Sequence, residues 1–224
     1  MEDWLLFGDW DLVIGYLKTS MVTIREEKSG DERQIRVVNQ RAFGQNEEAD
    51  IVDKLRQTCP NTISLVAISE DQVVGHILFT PLEIIPCCST RSLDLGINSA
   101  GFNSAREFLT GFTPVTIQTK ERIITGMGLA PMAVLPEFQR QSIGSRLVKA
   151  GLDLVKKAKY PFVIVLGHPT YYPRFGFVSA SHYGIKSEYE DVPDEAFMIL
   201  VFKKAAFDGV SGVAKYRPEF ASSI

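Results

Sequence analysis

Between residues 128 and 149, an apolar segment, Gly128-Leu-Ala-Pro-Met-Ala-Val-Leu135, runs through Pro136-Glu-Phe138 into Gln139-Arg-Gln-Ser-Ile-Gly-Ser145. A long helical pattern comes next. A strand that turns directly into a helix leaves the helix's first N–H groups without acceptors, and the helix dipole adds partial positive charge at the same point. Such a corner binds phosphate. Two familiar phosphate loops are absent, since there is neither a Gly-Lys-Ser/Thr ending nor three glycines at the dinucleotide-binding offsets. Gly126-Met-Gly128 precedes the apolar segment and reads as a turn or bulge rather than a cradle. What remains, Gln-x-x-Ser-x-Gly at a helix mouth, is also how ordinary helices open.

Composition narrows the chemistry. The 224 residues are 45% hydrophobic and 23% charged, enough for one good core. A net charge of -3 gives no basic footprint for nucleic acid. Cys59, Cys87 and Cys88 have no Cys-x-x-Cys spacing, and three histidines are too few to complete a metal site with them. These counts point to a reducing, cytoplasmic compartment and to no metal. The longest apolar runs, Phe162 to Leu166 and Phe197 to Phe202, fall far short of the roughly 20 residues that cross a bilayer, so no membrane partner is expected.

The elements that must hold the loop can be read outward from it. Residues 1–20 mix Trp4-Leu-Leu-Phe7 and Leu12-Val-Ile14 with Glu2, Asp3, Asp9 and Asp11 and read as either an extension or a misassigned start, the domain proper starting at Met21. Val22 to Glu26 is a short strand. Asp31 is placed to cap a helix with Ile35, Val38, Ala42 and Phe43 on one face, and Gln34 to close a capping box. A second helix begins near Asn46, turns Ile51, Val52 and Leu55 inward and stops before Pro60. Ile63 to Ile68 and Gln72 to Thr80, joined by Glu70-Asp71, form an antiparallel hairpin. Past the loop, Ile143, Leu147, Ala150, Leu154, Val155 and Ala158 recur at helical spacing, Pro161 ends the helix, and Phe162 to Leu166 is a buried strand.

The tripeptide Phe-Thr-Pro occurs at Phe79 and again at Phe112, on either side of an irregular segment. Removing about 82–114 leaves a continuous strand pattern, so that segment reads as an insertion of the length typical of lids, binding loops or disordered segments, with Ala105 to Leu109 as one helical turn, a chance recurrence of the tripeptide being the alternative. Beyond residue 204 a tail carries Val210-Ser-Gly-Val213 and Tyr216-Arg-Pro-Glu-Phe220, aromatic anchors that either cover a cleft or pack on the sheet.

Strand Met132-Ala-Val134, turn Leu135-Pro-Glu-Phe138, loop Gln139 to Ser145 and the later Tyr172-Pro-Arg-Phe-Gly-Phe177 together resemble the GNAT superfamily of acetyl-CoA-dependent N-acetyltransferases, closest to an uncharacterised bacterial branch. The resemblance covers roughly Met21 to Phe202. It implies an α/β (α+β) fold with a mixed, mostly antiparallel central sheet, helices on both faces and a splayed βαβ cofactor site. By position, it assigns the pyrophosphate of coenzyme A to the loop, with Gln139, Arg140, Gln141, Ser142, Ile143, Gly144 and Ser145. Backbone pairing with the pantetheine arm falls to Met132, Ala133 and Val134. Acetyl-CoA is the implied cosubstrate, the acceptor a small-molecule or peptide amine, and a homodimer stays open. One departure is Ser142, which stands where the family usually has glycine. If that position needs φ > 0, serine resists it; if it is helical, serine costs little.

The reaction makes further demands. The attacking amine must be neutral although a lysine-like amine is protonated at neutral pH, the tetrahedral intermediate needs an N–H donor for its oxygen, and the departing thiolate needs a proton. Tyr172 occupies the family's position for that acid, with Tyr171 beside it; an ordinary half-buried aromatic is the alternative. His168 either joins a proton path, orients the cofactor or shapes the turn before Pro169. His76 and Glu83 either touch substrate or serve the sheet. No general base is singled out. Glu188, Glu190, Asp191, Asp194 and Glu195 are either a solvated face or an acidic rim for a cationic acceptor. A non-catalytic acyl-CoA-binding or regulatory module is the rival reading.

Overall fold

The computed structural model describes residues 22–86 and 123–222. Residues 1–20, the segment 87–114 with its expected helical turn and second Phe-Thr-Pro phrase, and the strand continuation at 115–117 lie outside the described residues. Chain order is β1 (Thr23–Glu26), α1 (Glu32–Phe43), α2 (Glu47–Thr58), β2 (Ile63–Ser69), β3 (Gln72–Pro86), β4 (Ile124–Val134), α3 (Ile143–Lys157), β5 (Phe162–Leu166), β6 (Val178–Ser179), β7 (Ile185–Ser187), β8 (Phe197–Val201) and β9 (Gly212–Lys215). They form a sheet in the order β1-β2-β3-β4-β5-β8-β6, with β9 on the far half of β3 and β7 beside β9. Pairing is antiparallel except between β4 and β5 and between β7 and β9.

Alternation along β3 puts helices on both faces of the sheet. A Cβ on Gly75 would meet Leu147 and Ile143 of α3 at 3.0 and 3.3 Å, and Phe79 presses against Gly151 of the same helix. His76, one residue on from Gly75, reaches Asn39 of α1 on the opposite face. The helix faces largely follow the periodicity, but α3 also buries Val148, Gly151 and Leu152, while Ala158 is exposed. Phe43 is likewise 41% exposed.

Several local expectations change. Asp31 does not cap α1: its carboxylate accepts the Lys28 N–H at 2.8 Å and both terminal nitrogens of Arg25 at 2.6 and 2.9 Å. Gln34 closes no capping box but accepts the Val73 N–H at 2.8 Å, tying α1 to the start of β3. Gly126 and Gly128 lie within β4 rather than in a turn. They are there for close approach, since a Cβ on Gly126 would lie 2.5 Å from the Phe162 ring and one on Gly128 would lie 3.4 Å from Tyr216. Leu82 to Pro86, expected inside the insertion, continue β3 and pair with both β4 and β9. The tail joins the sheet through β9.

Strand β4 departs from a regular ladder along both of its edges. Ile77 faces Met132 while Phe79 faces Leu129, so β4 carries one residue more than β3 across that interval, a bulge that bends the strand. On its other edge β4 pairs with β5 only at Met127↔Val163 and Gly128↔Ile164. From Leu129 onward the two strands part.

His76, a candidate for substrate contact, is fully buried in a polar relay instead. The Asn39 amide donates to Ile35 O at 2.9 Å and meets His76 Nδ1 at 3.2 Å, so Nδ1 accepts. The Nε2–H therefore donates to Ser64 Oγ at 3.0 Å, and the Ser64 hydroxyl donates to Glu27, which is paired with Arg56 at 2.8 Å. Burial first, then the charge of Arg56, push the His76 pKa down to about 3. In an unfolded chain histidine titrates near about 6.5. Between those values the unfolded chain binds the extra proton, so stability rises with pH there and is lost as pH falls from about 6.5 toward 3. Urea unfolding as a function of pH should show a His76-dependent slope approaching about 1.4 kcal/mol per pH unit near pH 5. His76→Gln should lack that component, and an unchanged slope would refute the assignment.

Candidate active site

Parting of β4 from β5 opens a cleft that contains a cavity of about 840 Å³. One wall is the free edge of β4 from Leu129 to Val134. Along such an edge alternate residues turn N–H and C=O groups outward with no strand to receive them. The other wall is Leu166, Gly167 and His168 at the end of β5, with Tyr171, Tyr172 and Arg174 of the turn beyond it. The loop into α3 closes one end.

That loop is shaped by two residues with positive φ. Arg140 sits at φ +61° and Ser142 at φ +62°, ψ 9°, the left-handed region where glycine is the easier residue. Ser142 therefore takes the strained branch of the two left open by sequence. It makes no side-chain cap, and the first turn of α3 carries no acidic residue. The N–H groups of Ile143, Gly144 and Ser145 consequently have no helical acceptor, and all three residues line the cavity together with Gln139, Arg140 and Ser142. The amide of Gln139 braces the loop by donating to Val134 O at 3.1 Å. Gln141 is the exception among the expected phosphate-loop residues, because it does not line the cavity and its amide donates to Glu137 O at 3.2 Å. Glu137 itself pairs with Arg41 at 2.9 Å and serves the turn. At Gly144 the walls converge, since a Cβ there would lie 3.0 Å from the Tyr171 hydroxyl and 3.4 Å from Met132 Sδ.

Tyr172 is 7% exposed and lines the cavity. It opens the 3-10 turn Tyr172–Phe175, packs edge-on against Tyr171 at 5.1 Å and Phe177 at 5.6 Å, and has the backbone of Gly167 beneath its ring. Burial, then Tyr171, raise its pKa far above that of a free phenol, so it holds its proton at neutral pH. The carbonyl of His168 accepts the Tyr171 N–H at 3.0 Å and shapes this turn, while its exposed side chain borders the cavity. Arg174 lies over the Tyr171 ring at 4.4 Å and has no ion-pair partner among the described residues.

Met132, Ala133, Val134, the loop residues apart from Gln141, His168 and Tyr172 thus meet at one cavity. Sequence reasoning missed Phe43, Glu48 and Ile51 from α1 and α2, and Tyr189. It left Tyr216 and Phe220 between two roles, and they take both: the tail packs on the sheet through β9, and its aromatics line the cleft. Glu83 and the five carboxylates from Glu188 to Glu195 do not line it. Glu188 instead accepts the Tyr216 N–H at 2.5 Å and pairs with Lys215 at 3.2 Å. Among the described residues no cluster of His, Cys, Asp and Glu could hold a metal ion, and no helix is long and apolar enough to cross a membrane.

No protein-family model matches the chain. Among curated proteins it is 27% identical over 198 residues to the uncharacterized N-acetyltransferase YhbS of Escherichia coli K12, covering 88% of this chain and 97% of that protein. It is 34% identical over 149 residues to the uncharacterized N-acetyltransferase YjhQ of the same strain, covering 66% and 64%. Among solved structures, the GNAT family N-acetyltransferase YhbS from Escherichia coli in complex with CoA superposes with a TM-score of 0.69 at 25% identity, over 90% of this chain and 93% of that one. A GNAT family acetyltransferase from Brucella melitensis in complex with acetyl-CoA gives 0.61 at 28% identity, over 90% and 99%. With the mixed sheet, the parted β4 and β5 and the loop at the head of α3 matching what the resemblance implied, the chain is similar over most of its length, in sequence and in fold, to N-acetyltransferases of the GNAT superfamily.

Proposed function

We propose that this protein moves the acetyl group of acetyl-CoA to a primary amine by direct attack, with Tyr172 as the general acid. One observation carries the reading: a helix-start anion site, an unpaired strand edge and a buried, proton-retaining tyrosine border a single cavity. The N–H groups of Ile143, Gly144 and Ser145 would hold the pyrophosphate, with the side chains of Arg140 and Arg174 adding positive charge at the walls. The free edge at Met132 to Val134 would pair with the amides of the pantetheine arm and offer an N–H to the oxyanion. As the C–N bond forms and the C–S bond breaks, the Tyr172 hydroxyl gives its proton to the leaving sulfur, and the proton lost by the amine leaves through solvent. His168 stands at the rim, where a proton path would begin. The buried free thiol of Cys59 agrees with a cytoplasmic setting. The acceptor in this reading is a small molecule or a peptide, and the protein would act alone or as a homodimer.

Replacing Tyr172 by Phe keeps the ring and removes the acid. In a thiol-release assay with acetyl-CoA and a panel of amines, kcat should fall about 100-fold or more, with coenzyme A affinity nearly unchanged. Equal slow release by both proteins, with tight coenzyme A binding retained, would instead favour an acyl-CoA-binding module.

Ser142→Gly should release about 1 kcal/mol of left-handed strain. The gain appears as higher stability to urea where the loop is already formed, or as coenzyme A binding up to about fivefold tighter where binding completes it. Ser142→Val should lose on both measures. If calorimetry and unfolding cannot tell either variant from wild type, the loop is not strained.

A further inference from the structure

The cleft's far end is built of aromatic rings. Tyr189 stacks on Tyr216 with centroids 5.7 Å apart and planes 29° from parallel, and Phe220 meets Tyr216 edge-on at 6.0 Å. All three line the cavity. The Tyr216 ring rests on Gly128, the last residue of β4 that still pairs with β5, and so sits where the strands begin to part. From Gly128 to Val134 is six residues of extended chain, roughly 20 Å. The aromatic group is therefore remote from the anion loop, at the end where a ligand held by its phosphates and laid along β4 would present its other terminus.

Its chemistry is distinctive. A cleft that selects a polycation gathers carboxylates. Here none of the acidic residues of 188–195 lines the cavity, and Glu188 is engaged in clamping the Tyr216 N–H and Lys215. Among the described residues the one acidic side chain on the cavity is Glu48, on α2, which accepts the Gln45 amide at 3.0 and 3.2 Å. The Glu188 clamp fixes the Tyr216 backbone, and the stack fixes Tyr189, so these faces are already in place for a flat apolar group.

Building on the acetyltransferase reading, we propose that Tyr189, Tyr216 and Phe220 form the acceptor subsite and that it takes a primary amine carried on an aromatic or other flat apolar group, not a polyamine. The ring faces recognise the acceptor. The Tyr216 hydroxyl is buried without a hydrogen-bond partner among the described residues.

Calorimetric titration of the protein with coenzyme A present tests this without requiring turnover, using 2-phenylethylamine and spermidine as probes. The aromatic amine should bind at least about tenfold more tightly than spermidine. Tyr189→Ala should weaken the aromatic amine about tenfold or more, with coenzyme A affinity unchanged as the check on folding. Tyr189→Phe should restore it. Equal or tighter binding of spermidine, no binding of the aromatic amine to wild type, or a Tyr189→Ala variant that binds normally would overturn the proposal. Aromatic-amine binding without acetyl transfer would count against the acetyltransferase reading and leave the subsite standing.

Discussion

The site depends on β4 losing one neighbour while keeping the other. It stays paired to β3 over nearly its whole length, absorbing one surplus residue in a bulge, but pairs with β5 at only two positions. A strand with an open edge normally invites pairing with another chain. Here the edge forms one wall of a cavity and faces the end of β5 and the Tyr171-Tyr172 turn across it. The adjoining loop continues the same logic at the head of α3, where uncapped N–H groups meet the positive end of the helix dipole. Among the described residues no strand pairs with that edge and no side chain caps that helix start, which under the proposed reading suits one ligand with amides along its length and phosphates at its end.

Keeping such a gap open requires rigid surroundings. On one side the core packs the α3 face of β3 through Phe79 against Gly151, and on the other the Asn39-His76-Ser64-Glu27 relay ties α1 to the sheet. The relay admits a single proton arrangement, because the Asn39 amide can only donate to Nδ1. The Tyr172 ring is held by the aromatic edges of Tyr171 and Phe177, and its hydroxyl has no hydrogen-bond partner among the described residues.

Much of the cofactor side was legible because it is local in sequence. Strand, turn, loop and helix succeed one another from Met132 to Lys157, and Tyr172 lies a few residues past the next strand, so motif and geometry coincide. What stayed hidden depends on contacts between distant residues. Asp31 and Gln34 looked like caps by spacing, yet Arg25 and the Val73 N–H displace the local partners. Gly126 and Gly128 looked like turn residues, whereas Phe162 and Tyr216 press on them from elsewhere in the chain. Tyr189 gave no signal, because its place on the cavity rests on a stack with a residue 27 positions later. The direction of Gln141 depends on the single carbonyl of Glu137, and no pattern encodes it.

The pairing of β9 with the distal half of β3 joins Gly212–Lys215 to Glu83–Pro86, a contact between segments far apart in the chain. Contacts of that span close late, after the local hairpin and the strand-loop-helix unit have formed. Tyr216 and Phe220 come directly after β9, so the ring-lined end of the cleft takes shape only once this last strand docks. On that order the loop at the head of α3 precedes the ring-lined end of the cleft, so a chain arrested before β9 docks would hold the loop without Tyr216 and Phe220 in place.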